Sequence, residues 1–387
     1  MKRLLKNAFL TAGVLALGLQ AEAQITVAPE NDPNFKLKFI GRTNLDFGTY
    51  LNRNDIGTYK EYKGGHVDNA VLVNDTRLGF VATKDKWEGK VEVCFSTKNI
   101  SFRDVTMKYS FNDHSKVTFG NQFMPYGIKL TGINYKFTED PSVDYTFCPA
   151  RKIGVNYLYT TDGFNLSTGL YTNGDVDSKN YNQGFNAALQ LIWRPVYDET
   201  TVFHIGGAFL YTDKGSSDPF SFKGVVPASM EPTTLIQTGV LDDAPNCERY
   251  EVQALFIKAK WLLEAHFLGA SVNTEKTSSF NGFWGQVSYQ IIGEQQKYNK
   301  VTCLPTTSAP GTLEVLGRFD YLNLDDFGKQ TDFELGLNYI INKHFNVKLN
   351  YVIATGKDRP ANAEPKYYKL DEDRTLHLIQ TRLQFTF

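Results

Sequence analysis

The feature that most constrains this chain is a two-residue alternation of apolar and polar side chains, repeated from end to end. Near the C-terminus Ile379, Thr381, Leu383, Phe385 and Phe387 fall on one face of an extended segment. Gln380, Arg382, Gln384 and Thr386 fall on the other. The same dyad sets Leu313, Val315, Phe319 and Tyr321 against Glu314, Arg318 and Asp320, and Phe333, Leu335, Leu337 and Tyr339 against Glu334, Gly336 and Asn338. Period two belongs to a strand with unlike faces, not to a helix. Sixteen such segments are legible: 35–50, 70–83, 87–97, 102–111, 116–124, 152–160, 164–173, 184–194, 202–211, 249–259, 261–272, 283–292, 312–323, 332–341, 345–355 and 375–387. An even number of strands of about ten residues is the pattern of a bacterial transmembrane barrel.

The connections fall into two kinds. Asn112-Asp113-His114, Asp162-Gly163 and Asn342-Lys343 are short and polar, as hairpin turns are. Residues 51–69, 125–149, 212–246 and 356–373 form long stretches rich in Gly, Pro, Asn, Asp and Ser. The expected fold is therefore a sixteen-stranded antiparallel transmembrane β-barrel with short periplasmic turns and long external loops. One connection breaks the scheme: 293–311 sits where a short turn belongs. The 125–149 stretch follows the fifth strand, where a long loop is expected to fold inward and narrow the channel.

The N-terminus sets the compartment. Lys2, Arg3 and Lys6 precede an apolar run, 8–19, and Ala21-Glu22-Ala23 is a small-residue cleavage site. Residues 1–23 read as an export signal, too short to span a membrane comfortably. That leaves a short segment, 24–34, and a barrel, 35–387, in the bacterial outer membrane. A terminal Phe387, two residues after Phe385, suits delivery to the barrel-assembly machinery. Aromatics at segment ends (Tyr50, Trp87, Phe111, Phe123, Tyr159, Trp193, Tyr211 and Tyr321) suit girdles at the lipid interfaces.

If the apolar face meets lipid, the alternate face lines a wet lumen. That face carries Lys36, Lys38, Arg42, Arg77, Lys108, Lys116, Lys152, Arg194, Arg318 and Arg382. It also carries Glu92, Asp104, Glu264, Glu314, Asp320 and Glu334. The inward loop adds Lys129 and Lys136, with Arg151 at its exit. Basic rings favour anions, and the basic set is the larger. The same charges also suit a lumen whose acids and bases cancel; the two readings differ in ion selectivity.

Other chemistry is poorly represented. Lys and Arg number 41 against 42 Asp and Glu, which excludes the basic excess of a nucleic-acid binder. The six His share no metal-ligand spacing. Glu264 and His266 share the inward face of one strand, but no serine motif accompanies them. No cofactor motif occurs, and four Cys offer no CxxC. An adhesin using the external loops, or an outer-membrane hydrolase, are the rival functions. The short segment before the first strand leaves no room for a transporter's plug domain.

Three stretches carry a family resemblance. They are Thr76-Arg77-Leu78-Gly79-Phe80 with 87–92; 120–127 with Pro149-Ala150-Arg151-Lys152-Ile153-Gly154; and Gly282-Phe283-Trp284 through Gly293-Glu294 to 316–324. Together with the ending Arg382 to Phe387 they resemble the phosphate-selective porin O and P family. The resemblance implies a homotrimeric porin that passes small anionic or neutral solutes without cofactor or catalysis. It also implies a longer connection after Gly293-Glu294. The family's inward loop closes with Gly-Arg-Arg, whereas this chain has Ala150-Arg151-Lys152, which keeps both charges without the glycine.

Overall fold

The computed structural model describes residues 26–27, 32, 34–52, 69–96, 100–127, 136–177, 184–217, 219–230, 234–241, 243–274, 277–357 and 374–387. The expected signal, 1–23, lies outside the described residues, as do Lys129 and 358–373.

Sixteen strands form the wall. They are β1 Phe35–Tyr50, β2 Asn69–Lys84, β3 Trp87–Cys94, β4 Ser101–Ser110, β5 Ser115–Gln122, β6 Lys152–Thr160, β7 Phe164–Thr172 and β8 Phe185–Tyr197. Then come β9 Thr201–Asp213, β10 Asn246–Lys258, β11 Trp261–Asn273, β12 Ser278–Ile292, β13 Leu313–Asn323, β14 Lys329–Ile340, β15 Phe345–Lys357 and β16 Arg374–Thr386. Each pairs antiparallel with its sequence neighbour. β1 also pairs with β16, from Arg42↔Thr386 to Tyr50↔Leu378, so the sheet is closed. Closure removes every open edge, as a membrane-spanning sheet requires. The last residue completes the seam: Gly41 and Phe387 exchange both backbone hydrogen bonds at 3.0 Å. A side chain at position 41 would fall within 2.3 Å of the Phe387 ring, so glycine makes room for it. Residues Thr26–Val27 pair with Lys38 and Leu37, covering the stretch of β1 below the end of β16.

The alternation is realised with its sense reversed relative to a soluble protein. Along β13 the polar Glu314, Arg318 and Asp320 are buried with Leu316 and Leu322. Phe256, Leu263, Phe267, Phe283, Phe333, Leu335 and Leu337 are exposed on the outside. An outward apolar belt around a polar interior is a membrane barrel. Trp87, Phe111, Trp193 and Trp261 are exposed at strand ends on the short-turn side. Two aromatics expected in the girdles lie elsewhere. Tyr50 is buried against an inward apolar cluster, and Phe123 lies under the Arg151 guanidinium at 3.9 Å.

Three segments fold into the lumen. The first, between β5 and β6, is the expected inward loop and holds a six-residue helix, α1 Ser142–Phe147. The second, between β9 and β10, was expected outside. Its described part turns inward instead, because its apolar residues have a wall to cover. Val226, Ala228, Met230 and Leu235 pack on Tyr50, Val352, Ala354, Leu376 and Leu378. The third is the anomalous 293–311 connection. It is a periplasmic insertion with two paired two-residue strands, Tyr298–Asn299 and Leu304–Pro305. It rises inside the barrel to touch β6–β8: Lys300 O accepts from Thr160 Oγ1, Asn165 Nδ2 and Arg194 Nη1.

Candidate functional site

The three insertions divide the lumen into a covered wall and an open one. On the covered wall Gln286, Asp320, Asp332 and Glu334 are all under a tenth exposed. On the more open wall, β3 and β4, the Glu88, Lys90, Asp104 and Lys108 side chains keep between 23% and 33% of their surface. Among these ionised side chains, those on β3 and β4 keep the most contact with the lumen.

Residues on the covered wall hold the inward loop in place. Lys136, on that loop, is buried and donates to Glu314 at 2.6 Å and Gln296 at 3.0 Å. Arg318 binds Glu334 through Nε at 2.7 Å, donates to Glu139 O at 3.0 Å, and stacks on Phe137 at 4.5 Å. Arg382 grips Asp46 with two bonds of 2.7 Å and Glu139 with one of 2.8 Å, and also donates to Thr138 O. Around α1, Trp284 Nε1 donates to Asp144 at 3.0 Å and the Val143 amide to Asp320 at 3.2 Å. These charges are spent on architecture. A buried charge that lost its partner would cost several kcal/mol, roughly 3–5, so they pin the loop firmly.

Arg194 does a similar job below. Its guanidinium donates to the carbonyls of Thr161, Asp162, Phe164 and Lys300 and to Cys303 Sγ, clamping the periplasmic insertion to the β6–β7 turn. Outside the strands, Lys300 and Asp162 form an exposed pair at 2.5 Å. Their hydrogen bond raises the lysine's pKa and lowers the carboxyl's. Burial pushes the Cys303 thiol up, which keeps it protonated and unreactive.

The remaining sequence-selected residues of the strands lie on β1–β6, where Arg42 and Arg77 are themselves under a tenth exposed, as is Arg151 at the exit of the inward loop. Arg42 and Arg77 face each other across β1 and β2. Both bind Asp75, and Arg77 also reaches Glu92 at 3.2 Å. Lys108 pairs with Glu88 at 2.6 Å. Arg151 and Lys90 share Asp104, each at 2.6 Å. Lys152 donates to Asn173 O at the outer end of the path. Lys36 is exposed and Lys38 half-buried near the periplasmic end. Sequence reasoning missed Lys90 and Arg103, the latter next to Asp104 on β4 with its Nε buried. Lys90 shares the face of Glu92 and was legible by parity. Arg103 was not, because the β3–β4 register shifts between Val91 and Val93.

The hydrolase idea finds no chemistry at His266. Both ring nitrogens face carboxylates, Glu251 at 2.9 Å and Glu264 at 3.3 Å, and the ring stacks on Trp284. No nitrogen is left to take a proton from a nucleophile. Glu251 in turn accepts from the Gly127 amide at 2.8 Å, so the group tethers the start of the inward loop.

Solved structures share this architecture. OmpT, an outer membrane protein of Vibrio cholerae in trimer form, matches with a TM-score of 0.58 at 15% identity, covering 91% of this chain and 99% of that one. An anion-selective porin from Comamonas acidovorans matches at 0.55 and 12% identity, covering 91% and 100%. OmpF of Salmonella typhi, in complex with daunomycin, matches at 0.58 and 13%, covering 94% and 100%. At such identities the likeness shows the fold alone. A comparison with curated proteins returns no match. The family model for phosphate-selective porin O and P matches residues 37–387. With that match over nearly its whole length, and a closed sixteen-stranded barrel around a polar lumen, the chain belongs to the phosphate-selective porin O and P family of bacterial outer-membrane channels.

Proposed function

We propose that this barrel is a passive diffusion channel for small hydrophilic solutes that prefers anions, phosphate among them, and that it works as a homotrimer. One observation carries the preference: along β1–β6, acids are shared between bases. Asp75 serves both Arg42 and Arg77, and Asp104 serves both Lys90 and Arg151. The Asp104 group leaves one positive charge over, whereas Arg77 is also paired with Glu92, so that Asp75 and Glu92 together balance Arg42 and Arg77. Lys36, Lys38 and Lys116 add to the surplus, with no ion pair among the described residues. An anion passing this wall meets donors already held in place, so it loses little free energy to their reorganisation. The bases named on the sequence thus take two roles. Lys36, Lys38, Arg42, Arg77, Lys108, Arg151 and Lys152 act on the solute, while Lys136, Arg194, Arg318 and Arg382 shape the path. Outer-membrane lipid surrounds the exposed belt, and Phe385 and Phe387 present the assembly signal. No step needs a cofactor.

The test is planar-bilayer recording of refolded protein with phosphate added to a chloride electrolyte. Conductance in steps of three with a phosphate-dependent decrease supports the reading. Phosphate without effect on an open channel removes it from the preferred solutes.

A further inference from the structure

A cavity of about 270 Å³ lies beside Arg151, whose guanidinium covers the lining residue Phe123, and is roofed by the 123–127 stretch of the inward loop and floored by residues 301–304 of the periplasmic insertion. No charged side chain lines it; Asn156, Asn165, Ser167, Gln190, Gln253 and Thr302 supply polar groups, and Phe123, Met124 and Leu158 apolar ones. That is room for several waters, and so for a small polyhydroxy molecule. We propose that this chamber is a binding subsite for a small uncharged polyhydroxy solute, adjoining the basic residues but lined by none of them.

The chemistry selects the ligand class. Side-chain amides both donate and accept, as sugar hydroxyls do. A desolvated anion would find no charge-assisted donor here, and an apolar guest would strand the amides without partners. The polar groups differ in their availability. Asn156 and Ser167 bond each other at 3.0 Å, and Asn156 also accepts from Tyr171 at 3.0 Å. Gln190 stands directly opposite Ser167 on β8. It is half-buried and has no hydrogen-bond partner among the described residues. A polar wall with one uncommitted amide beside an aromatic ring is a small-molecule site in miniature. Both the roof and the floor are insertions into the barrel, so the chamber exists only because the two approach each other.

The inference rests on the barrel being an open channel, and the recordings separate the two claims. The full-length protein is refolded, its conductance measured in potassium chloride, and D-xylose then titrated in. The expected result is a saturable decrease in ion current beyond the change in bulk conductivity. Q190L should weaken the apparent xylose affinity about 3- to 10-fold, the loss of one hydrogen bond. S167A should weaken it in the same direction, and each variant's chloride conductance confirms that it is folded. A decrease that merely tracks bulk conductivity overturns the subsite while leaving the channel intact. Wild-type xylose affinity in both variants overturns it too. Absence of any conductance before sugar is added removes the channel reading and the subsite with it.

Discussion

Arg42 and Arg77 face each other across β1 and β2 and share one carboxylate, with Asp75 Oδ2 at 2.7 Å from Arg42 Nε and Asp75 Oδ1 at 2.8 Å from Arg77 Nε. Two guanidiniums this close repel unless an anion sits between them. Asp75 sits between them, and Glu92, 3.2 Å from Arg77, supplies the second anion, so the cluster is neutral as it stands.

Substituting D75N therefore tests the pairing from the protein's side. The variant keeps the shape and removes the charge. It should raise anion preference and lower the barrel's stability to urea by about 1.5–3 kcal/mol, the worth of hydrogen bonds to a charged partner. Reversal potentials and unfolding curves read the two effects; a fall in anion preference would contradict the shared-carboxylate account.

Glu139 should give the channel a pH dependence near neutrality. Burial inside the barrel, with Asp46 and Asp140 nearby, outweighs the pull of Arg382 and raises its pKa to about 7. About 29% of its side chain stays exposed, so it exchanges protons with the lumen. As pH falls through 7, the carboxylate is neutralised and anion preference should rise. Because the folded state holds this proton more tightly than the unfolded chain, stability should decline as pH climbs from the ordinary carboxylate range toward 7. E139Q should flatten the selectivity profile; an unchanged profile in that variant would assign the titration elsewhere.

Arg194 and Lys300 both attach the periplasmic insertion, yet they should differ in consequence. Arg194 is buried and binds four carbonyls and a sulfur. R194A should release the insertion and give larger, noisier single-channel currents. D162N removes only the exposed pair with Lys300, which salt screens, and its currents should match the parent's. Quiet, parental currents from R194A would show that the insertion holds without its clamp.

Removal of Phe387 deletes two seam hydrogen bonds and the ring that fills the space over Gly41. The truncated chain should yield less heat-modifiable barrel, measured by electrophoretic mobility of boiled and unboiled samples. Parental yield would mean that β16 closes without its last residue.

Much of this architecture was legible in the sequence. The dyad from Ile379 to Phe387 and those around Phe319 and Phe333 located strands to within a few residues, since lipid outside and water inside demand unlike faces. The inward loop followed from its length and its place after β5. The second inward segment was not legible. Met230 and Leu235 look like loop residues until the apolar lumen face at Val352, Leu376 and Leu378 is seen to need covering. The role of individual bases was also hidden. Parity says that Arg318 and Arg77 both point inward; only the tertiary packing shows one locked against Phe137 of the inward loop and the other buried in a cluster with Arg42, Asp75 and Glu92. The chamber between the insertions joins residues as far apart as Phe123 and Leu304, a juxtaposition no local pattern encodes.

The most direct test of the central claim is the reversal potential of the refolded channel in a potassium chloride gradient, repeated for the R151Q/K152Q double variant. The account predicts an anion-directed potential in the parent that moves toward zero in the variant. A cation-directed or zero potential in the parent would mean that the open wall's charges cancel, and would contradict it.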